Sequence, residues 1–259
     1  MFHKWSSREF RGHTGENMKA IVVIPCFNEK QNISELVFWV NQFAQETIVA
    51  DDNSTDGTKE EAEGAGAYVV RNFGKRGFGS NTKAGIDEAL IRECEIVVTL
   101  DGDGQHDPKE MARVLEPIEK GEADVVIGSR FLQKNHSLIP GYRKFGIKVI
   151  TWLYNVGNKQ RITDAQCCFR AYKSEVLKMV DINEVGFTFS TETLIKVRVL
   201  GYRIKEVPVT VLYHKQFSHN STLNPIRHGL GVAMGTVMVR LKVEVLDKIK
   251  ALIGGSRKG

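Results

Sequence analysis

Short apolar runs alternate with helix-like periodicity through the first half of the chain. The runs are rich in Val, Ile and Ala, which is typical of strands buried on both faces of a sheet. They lie at 20–25, 47–50, 67–70, 96–100 and 123–127. Between the first two runs, apolar residues recur at helical spacing at Ile33, Leu36, Val37, Val40 and Ala44. This alternation predicts an α/β domain whose mostly parallel sheet carries helices on both faces.

The second half has a less regular pattern. Helices are expected around 145–158 and 191–200, and a strand at 203–212. Apolar residues then repeat every three or four positions at Ile226, Leu230, Met234, Val237, Leu241, Val245, Ile249 and Leu252. Because Lys and Arg residues accompany them, residues 223–259 are expected to form an amphipathic, basic helical segment. Its apolar face could meet a membrane surface or protein, either this domain or a second subunit in a homodimer.

Two carboxylates follow directly after one of the apolar runs. Asp101 and Asp103 are one residue apart, and Gly102 and Gly104 allow the backbone to turn closely around a bound ion. In an open α/β sheet, ligands collect beyond the carboxyl ends of the strands. Carboxylate oxygens there suit Mg²⁺ or Mn²⁺, which keep part of their coordination shell for phosphate oxygens and water. The first hypothesis is therefore a metal-bound diphosphate, although an isolated Asp-x-Asp is more often an ordinary turn.

A helix start follows these carboxylates. Asp107 is expected to cap it, with Pro108 at the first helical position and Glu110 completing a capping box. This would hold the carboxylates on a rigid corner between a strand and a helix.

Composition narrows the range of proteins to consider. The 259 residues are 42% hydrophobic, enough for one large domain, and carry a net charge of +5. From Gly201 onward there are ten Lys and Arg against three Asp and Glu, which indicates an anionic partner for that end. The four cysteines lack the spacing of a metal-binding motif, and free cysteines suit a reducing cytoplasm. No apolar stretch is long enough to span a bilayer, and residues 1–18 are expected to form a polar tail without a signal peptide.

Two common nucleotide-binding motifs are missing. No Gly-x-Gly-x-x-Gly follows the first apolar run, and no Gly-x-x-x-x-Gly-Lys-Ser/Thr occurs, which disfavours dehydrogenases and P-loop enzymes. The basic end lacks the interleaved aromatic residues of a nucleic-acid stacking platform, so no nucleic-acid partner is expected.

Four motifs fall at strand ends in a specific order. They are Pro25-x-Phe27-Asn28-Glu29, Asp51-Asp52-Asn53-Ser54-x-Asp56-Gly57-Thr58, Asp101-x-Asp103-x-Gln105 and Gly128-Ser129-Arg130. Together they resemble the family 2 glycosyltransferases of the Rossmann-like GT-A fold, in particular the dolichyl- and polyprenyl-phosphate sugar synthases. The resemblance covers about residues 19–222, the expected catalytic domain, and extends through Thr163-Asp164-Ala165-Gln166, Phe169-Arg170-x-Tyr172 and Phe189-Ser190-Thr191-Glu192.

The resemblance implies roles for the residues that match the family motifs. The residues implied for nucleotide-sugar binding are Pro25, Phe27, Glu29, Asp52, Asp101, Gly102 and Arg130. Of these, Asp52 would read the base edge and Arg130 would bind phosphate. Asp101, Asp103 and Gln105 would hold Mg²⁺ or Mn²⁺. The catalytic candidates are Asp103, Asp164, Arg170 and Glu192. Candidates for contact with the acceptor phosphate are Arg130, Arg170, His214 and Lys215.

The nature of the acceptor decides how Asp164 and Glu192 are interpreted. With a hydroxyl acceptor on a glycan, Asp164 or Glu192 would be a general base. With a lipid phosphate, the nucleophile is already largely deprotonated near neutral pH, and these carboxylates would orient Arg170, the metal or sugar hydroxyls. The expected reaction is inverting transfer to dolichyl or polyprenyl phosphate on the cytoplasmic face of a membrane, reached by surface contact or through a membrane partner protein.

The donor sugar is less constrained than the reaction. The mannose synthases carry an Arg and a Gly-Glu-Ser-Lys loop where this chain reads Tyr213-His214-Lys215-Gln216-Phe217-Ser218-His219. Since the donor-contacting residues of that loop are not matched, UDP-N-acetylglucosamine or UDP-glucose is favoured, with GDP-mannose as the alternative.

Overall fold

The described part of the protein folds into a seven-stranded sheet flanked by helices. The computed structural model describes residues 18–133, 139–211 and 225–255, and the side chains of the last helix are described for 227–244. The strands are β1 (Ala20–Cys26), β2 (Glu46–Asp51), β3 (Tyr68–Arg71), β4 (Ile96–Thr99), β5 (Val125–Ser129), β6 (Arg170–Lys173) and β7 (Ile204–Pro208). The helices are α1 (Lys30–Val40), α2 (Thr58–Gly64), α3 (Phe78–Ile91), α4 (Met111–Glu119), α5 (Gly141–Asn155), α6 (Ser174–Met179), α7 (Phe189–Val199) and α8 (Pro225–Gly255).

The sheet runs in the order β3-β2-β1-β4-β6-β5-β7. The pairs β3–β2, β2–β1, β1–β4 and β5–β7 are parallel, whereas β6 is antiparallel to both β4 and β5. Every residue of β1, β4 and β5 is buried, as expected for strands covered by helices on both faces. The expectation of a mostly parallel α/β sheet is therefore confirmed.

The antiparallel strand β6 brings a later segment of the chain to the carboxyl edge of the sheet. Its first residue, Arg170, lies opposite both Thr99 at the end of β4 and Ile127 in β5. The Thr99 hydroxyl donates to the Cys168 carbonyl at 2.7 Å, which fixes the segment before β6 against β4. Consequently the segment around 164–169 meets the ends of β4 and β5 at one edge.

The start of the helix after β4 differs in part from the expectation. Asp107 caps it by accepting from the Lys109 N–H at 2.9 Å, and Pro108 opens a single turn of 3-10 helix before α4. The Glu110 carboxylate, however, accepts from the backbone N–H and the hydroxyl of Thr210 and pairs with Arg113. The predicted capping box was wrong because Glu110 is drawn to the segment after β7 instead of back to Asp107.

The last helix packs on the domain through one side. Val232, Thr236 and Val239 are buried on that side, and the Thr236 and Thr191 hydroxyls lie 2.8 Å apart. Arg240 donates to the carbonyls of Leu153 and Val156 at the end of α5. A helical C-terminal segment was predicted, but the proposed boundary between 222 and 223 lies outside the described residues, as do residues 1–17 of the predicted tail at 1–18. No helix in the described part of the chain is both long enough and apolar enough to cross a membrane.

Gly85 in α3 permits close contact between this helix and the sheet. A Cβ there would lie 2.4 Å from Val23 Cγ1 and 3.2 Å from Ala50 Cβ, and both of these residues are fully buried. We expect Gly85→Ala to lower the free energy of unfolding by about 1–3 kcal/mol, because α3 must move off β1. Urea denaturation measures this. Gly146→Ala is the matched control, since a Cβ in the middle of α5 meets nothing within 4 Å. That change should raise stability by about 0.5–1 kcal/mol, and equal effects of the two changes would contradict the packing argument.

Asp124 ties the three strands at one end of the sheet together. Its carboxylate accepts from the Arg203 backbone and guanidinium at 2.9–3.0 Å and pairs with Lys173 at 3.0 Å. The hydrogen bonds from Arg203 hold the pKa of Asp124 well below its usual value. A depressed folded-state pKa contributes stability that is complete above the unfolded pKa of about 3.9 and is lost as pH falls below it.

We therefore expect Asp124→Asn to lower the free energy of unfolding by on the order of 1 kcal/mol at pH 7. The difference from the wild type should shrink as the pH falls below about 4, because the wild-type carboxyl group then takes up a proton on unfolding, which favours the unfolded state. Urea titrations at a series of pH values test this. A difference that stays constant across that range would refute the electrostatic explanation.

Candidate active site

The corners after β1 and β2 are joined by hydrogen bonds between their side chains and backbones. The Asn28 N–H donates to the Ser54 hydroxyl at 2.9 Å, and the Thr55 N–H donates to the side-chain Oδ1 of Asn28 at 3.0 Å. The Glu29 N–H donates to the Thr58 hydroxyl at 2.9 Å. Asn28 adopts a positive φ of 57°, which Asn tolerates better than most residues. Two of the four sequence motifs thus form one connected structure.

Asp52 belongs to the same corner and is almost buried. Its carboxylate accepts from the Asn72 amide at 3.0 Å and from the Gly77 N–H at 3.1 Å. It therefore fastens the loop between β3 and α3 to the end of β2. Beside it, the Phe27 ring is 50% exposed, and the Arg76 guanidinium lies 5.7 Å from the centre of that ring. An aromatic face, a carboxylate and a guanidinium are thereby brought to one side of the edge.

The corner after β4 lies tightly against the end of β1. A Cβ at Gly102 would lie 2.5 Å from Cys26 Sγ and 3.2 Å from the Pro25 carbonyl oxygen, so a larger residue would push the corner away. Gly104 adopts a positive φ of 68°. The Asp103 carboxylate accepts from the Gln105 N–H at 3.0 Å, which closes the turn. The structure therefore brings the predicted residues Pro25, Gly102 and Asp103 together.

The carboxylates of Asp101 and Asp103 repel one another. The pKa of Asp101 is raised to about 7, chiefly by burial and next by repulsion from Asp103. Burial also raises the pKa of Asp103, against the attraction of Arg143 and Arg130. Two carboxylates that repel one another in a partly buried corner are stabilised by a divalent cation. The donor set therefore fits Mg²⁺ or Mn²⁺.

The pair does not complete a coordination shell. Among the described residues, no group of three or more His, Cys, Asp and Glu side chains is arranged to hold a metal. A cation bound by two carboxylates keeps positions for water and for diphosphate oxygens, which is how Mg²⁺ is commonly held beside phosphorylated substrates. The corner thus resembles a site for a metal–diphosphate complex more than a structural metal site.

Arg130 and Asp164 form a buried, bidentate ion pair next to this corner. The guanidinium Nε and Nη2 atoms lie 2.6 and 2.8 Å from the two carboxylate oxygens of Asp164, whose side chain is fully buried. Burial acts to raise the pKa of Asp164, yet the charge and hydrogen bonds of Arg130 hold it below its usual value. Asp164 also accepts from the backbone N–H groups of Gln166 and Cys167. Its contacts are those of a carboxylate that orients a guanidinium.

Arg170 is buried and bonded mainly to backbone carbonyls. It donates to the carbonyls of Cys167 at 2.7 Å, Ser190 at 2.8 Å and Ala165 at 2.9 Å, and to the Tyr172 hydroxyl at 3.3 Å. A cavity lined by Arg170, Asp101 and Cys168 nevertheless joins it to the metal corner. The structure therefore gives Arg170 the contacts of a brace between α7 and the segment before β6.

Glu192 lies in α7 with 3% of its surface exposed. Its carboxylate accepts from the backbone N–H groups of Asn183 at 3.1–3.2 Å and Glu184 at 2.8 Å, and pairs with Lys196 at 2.6 Å. These contacts hold the loop between α6 and α7. The described contacts of Glu192 do not include the metal corner.

Two residues that the sequence interpretation did not single out belong to this region. Arg143, near the start of α5, attracts Asp103 electrostatically. Its signal in the sequence was its place near the start of the helix that follows the β5 corner. His106 is buried against Phe169, with ring centres 5.6 Å apart. Burial and the nearby charge of Arg130 lower the pKa of His106 to about 3, so the ring is neutral at pH 7. The predicted phosphate contacts His214 and Lys215 lie outside the described residues.

Comparison with known proteins gives concordant matches. The model of the family described as Glycosyl transferase family 2 matches residues 21–180. An uncharacterized protein of Methanocaldococcus jannaschii is 34% identical over 199 residues, which cover 74% of this chain and 81% of that protein. The polyprenol monophosphomannose synthase of Mycolicibacterium smegmatis is 30% identical over 208 residues, covering 74% of this chain and 77% of the synthase.

A solved structure resembles the fold. Glucosyl-3-phosphoglycerate synthase from Mycobacterium tuberculosis, crystallised with Mn²⁺, UDP and glucosyl-3-phosphoglycerate, aligns with a TM-score of 0.66 at 18% identity and covers 87% of this chain and 79% of that one. At this identity the likeness concerns the fold alone, and the mostly parallel sheet flanked by helices described above matches that of the GT-A enzymes. The family model matches more than half of the length of this chain. The chain therefore belongs to glycosyl transferase family 2, as a glycosyltransferase with the GT-A fold.

Proposed function

We propose that this enzyme transfers a sugar from a nucleoside diphosphate to dolichyl or polyprenyl phosphate. The observation that carries the proposal is the edge where the Asp101–Asp103 pair lies within electrostatic reach of Arg130 and Arg143. A metal–diphosphate complex fits the carboxylates, and a second phosphate fits the guanidinium groups. The polyprenol-phosphate activity named for the M. smegmatis relative supports the lipid acceptor.

The leaving diphosphate determines the work of the carboxylate corner. We assign Asp101, Asp103 and Gln105 to a Mg²⁺ or Mn²⁺ ion, and the Mn²⁺ and UDP in the M. tuberculosis synthase support this choice. Such an ion would act as a Lewis acid that neutralises charge on the departing diphosphate. Gly102 keeps the corner against Pro25, so the carboxylates are held in place before substrate arrives.

The acceptor side requires a different kind of assistance. A phosphate monoester is largely deprotonated near neutral pH, so it needs positioning against a negatively charged donor more than it needs a base. Arg130 and Arg143 supply that positive charge in this proposal, and attack on the anomeric carbon from the side opposite the diphosphate inverts it. The carboxylate of Asp164 fixes the plane of the Arg130 guanidinium, because both of its oxygens accept from it.

Arg170 and Glu192 act in this mechanism as positioning residues. Arg170 holds Ala165, Cys167 and Ser190 in place through their carbonyls, and thereby aligns the segment that carries Asp164. Glu192 holds the backbone of the loop between α6 and α7. Neither role involves proton transfer to or from the substrate.

For the donor, we favour UDP-N-acetylglucosamine or UDP-glucose, with GDP-mannose as the alternative. The half-exposed Phe27 ring and the Asp52 corner offer a stacking face and a carboxylate for a base. The unmatched loop at 213–219 argues against the mannose donor of the related synthases. The four free cysteines fit work at the cytoplasmic face of a membrane, where thiols stay reduced.

One assay tests the reaction, the metal and the donor together. The chain is incubated with Mn²⁺ or Mg²⁺, a panel of UDP- and GDP-sugars, and a short water-soluble prenyl phosphate. We expect transfer from a UDP-sugar, loss of transfer with EDTA, and loss by at least about 100-fold in Asp103→Asn. The matched control is Asp87→Asn, whose carboxylate is half-exposed in α3 and pairs with Lys83. No transfer to the lipid from any donor would refute the acceptor, and transfer from GDP-mannose alone would refute the donor.

Substitution of the buried carboxylates distinguishes a phosphate acceptor from a hydroxyl acceptor. We expect Glu192→Gln to keep kcat within about threefold, with an unchanged pH profile, because an amide oxygen can still accept from the loop. The surface change Glu175→Gln in α6 is its control. Asp164→Asn should raise KM for the prenyl phosphate at least about tenfold, and Arg130→Lys should do the same. The double variant should show no further rise, because the two residues act through one ion pair.

Binding of UDP, measured by its competition with a fluorescent nucleotide, checks that each of these variants remains folded. A Glu192→Gln or Asp164→Asn enzyme that binds UDP normally, has lost turnover and has lost the acidic limb of its pH profile would identify a general base. That result would favour a glycan hydroxyl as acceptor.

A further inference from the structure

An exposed apolar stripe runs along α5. Tyr142, Phe145, Trp152 and Val156 are 58%, 71%, 64% and 44% exposed, at spacings that place them on one side of the helix and its end. The opposite side carries Ile147, Ile150 and Tyr154, which are buried in the domain. Large aromatic residues are costly to expose to water in this number. The stripe therefore has the composition of a contact surface.

A second stripe lies on the neighbouring helix α8. Leu230, Met234, Met238 and Leu241 are 59–67% exposed, whereas Val232, Thr236 and Val239 on the other side are buried. The two helices are fastened together where Arg240 donates to the carbonyls of Leu153 and Val156. Two adjacent helices therefore each bury one side and expose an apolar row.

Both helices carry a net positive charge. The segment 141–155 contains Arg143, Lys144 and Lys148 and no Asp or Glu. Helix α8 contains Arg227, Arg240, Lys242, Lys248 and Lys250 against Glu244 and Asp247, and both acidic residues lie beyond the exposed apolar row. Lys148 and Lys242 are exposed beside the apolar rows. Apolar residues flanked by Lys and Arg are the pattern of a helix that lies in the headgroup region of an anionic bilayer, with Trp and Tyr at the boundary.

We propose that the exposed rows of α5 and α8 together form a docking surface for a lipid bilayer with anionic headgroups. Charge favours this occupant over a second copy of the chain, because a symmetric contact would bring together two helix pairs that each carry a net positive charge. The inference rests on the proposed lipid acceptor and deepens it. Arg143 lies on the same helix as the α5 row and reaches Asp103 electrostatically, so docking through α5 would bring a headgroup phosphate towards the metal corner.

Vesicle sedimentation of the full chain tests the surface without any catalysis. Vesicles of phosphatidylcholine, with or without phosphatidylglycerol and without prenyl phosphate, are mixed with the wild type and with two double variants. These are Phe145→Ser/Trp152→Ser on α5 and Met234→Ser/Leu241→Ser on α8. We expect wild-type binding that requires phosphatidylglycerol, and a fall of at least about tenfold in the partition coefficient for each variant. Lys148→Glu/Lys242→Glu should reduce binding to the anionic vesicles.

The matched control removes exposed apolar area elsewhere. In Ile91→Ser/Met179→Ser, residues that are 74% and 63% exposed are changed on α3 and α6, and vesicle binding should not change. Circular dichroism and thermal unfolding verify that all variants are folded. Transfer to a water-soluble prenyl phosphate should stay intact in the stripe variants, whereas KM for long polyprenyl phosphate in vesicles should rise. If that soluble transfer is absent in the wild type, the proposed reaction fails while the docking surface is still judged by sedimentation.

Three results would overturn the docking surface. The first is vesicle binding by both apolar variants at the wild-type level. The second is equal loss of binding in the Ile91→Ser/Met179→Ser control. The third is a wild-type dimer in sedimentation equilibrium without lipid that the stripe variants convert to monomer, since this would assign the rows to a second copy of the chain.

Discussion

The buried pair of Arg130 and Asp164 is the interaction on which the arrangement of the site depends. Arg130 follows β5 and Asp164 precedes β6, so their two-pronged contact closes the gap between strands that run in opposite directions. Removing either partner would leave a buried charge without compensation, which is far costlier than the loss of an exposed pair. The same guanidinium partly offsets the charge of Asp101 and Asp103, and its charge adds to burial in keeping His106 neutral. Position and electrostatics of the corner thus have a common origin.

The negative and positive halves of the site have different structural origins. The carboxylates follow β4, in the parallel part of the sheet, and their closeness to β1 is set by the missing side chain of Gly102. The guanidinium groups come from the β5 corner and from α5, beyond the antiparallel β6. In the proposed reaction the enzyme must hold a diphosphate and bring a second anion towards it, and the insertion of β6 between β4 and β5 separates these two tasks.

Particular residues mark the reach of sequence reasoning here. The strands, the Asp101–Asp103 corner and the cap at Asp107 could be predicted because each depends on a few consecutive residues. Arg170 and Glu192 were identified as part of the site region, but their partners are carbonyls and N–H groups of distant segments, which no local pattern encodes. The failed capping box at Glu110 has the same cause, since Thr210 is one hundred residues away. Arg143 was missed because an Arg near the start of a helix is ambiguous until the sheet order is known.

The sequence by itself determined the α/β class, the family, the carboxylate pair and the amphipathic nature of the last helix, because hydrophobic period and short motifs act over one or two turns of chain. The tertiary structure alone decided which charges face one another. The insertion of β6 sets Asp164 on Arg130, and the packing of α8 on α5 and α7 divides its apolar residues into a buried and an exposed row. These outcomes depend on contacts between residues far apart in the chain, whose energies arise only when the sheet is assembled.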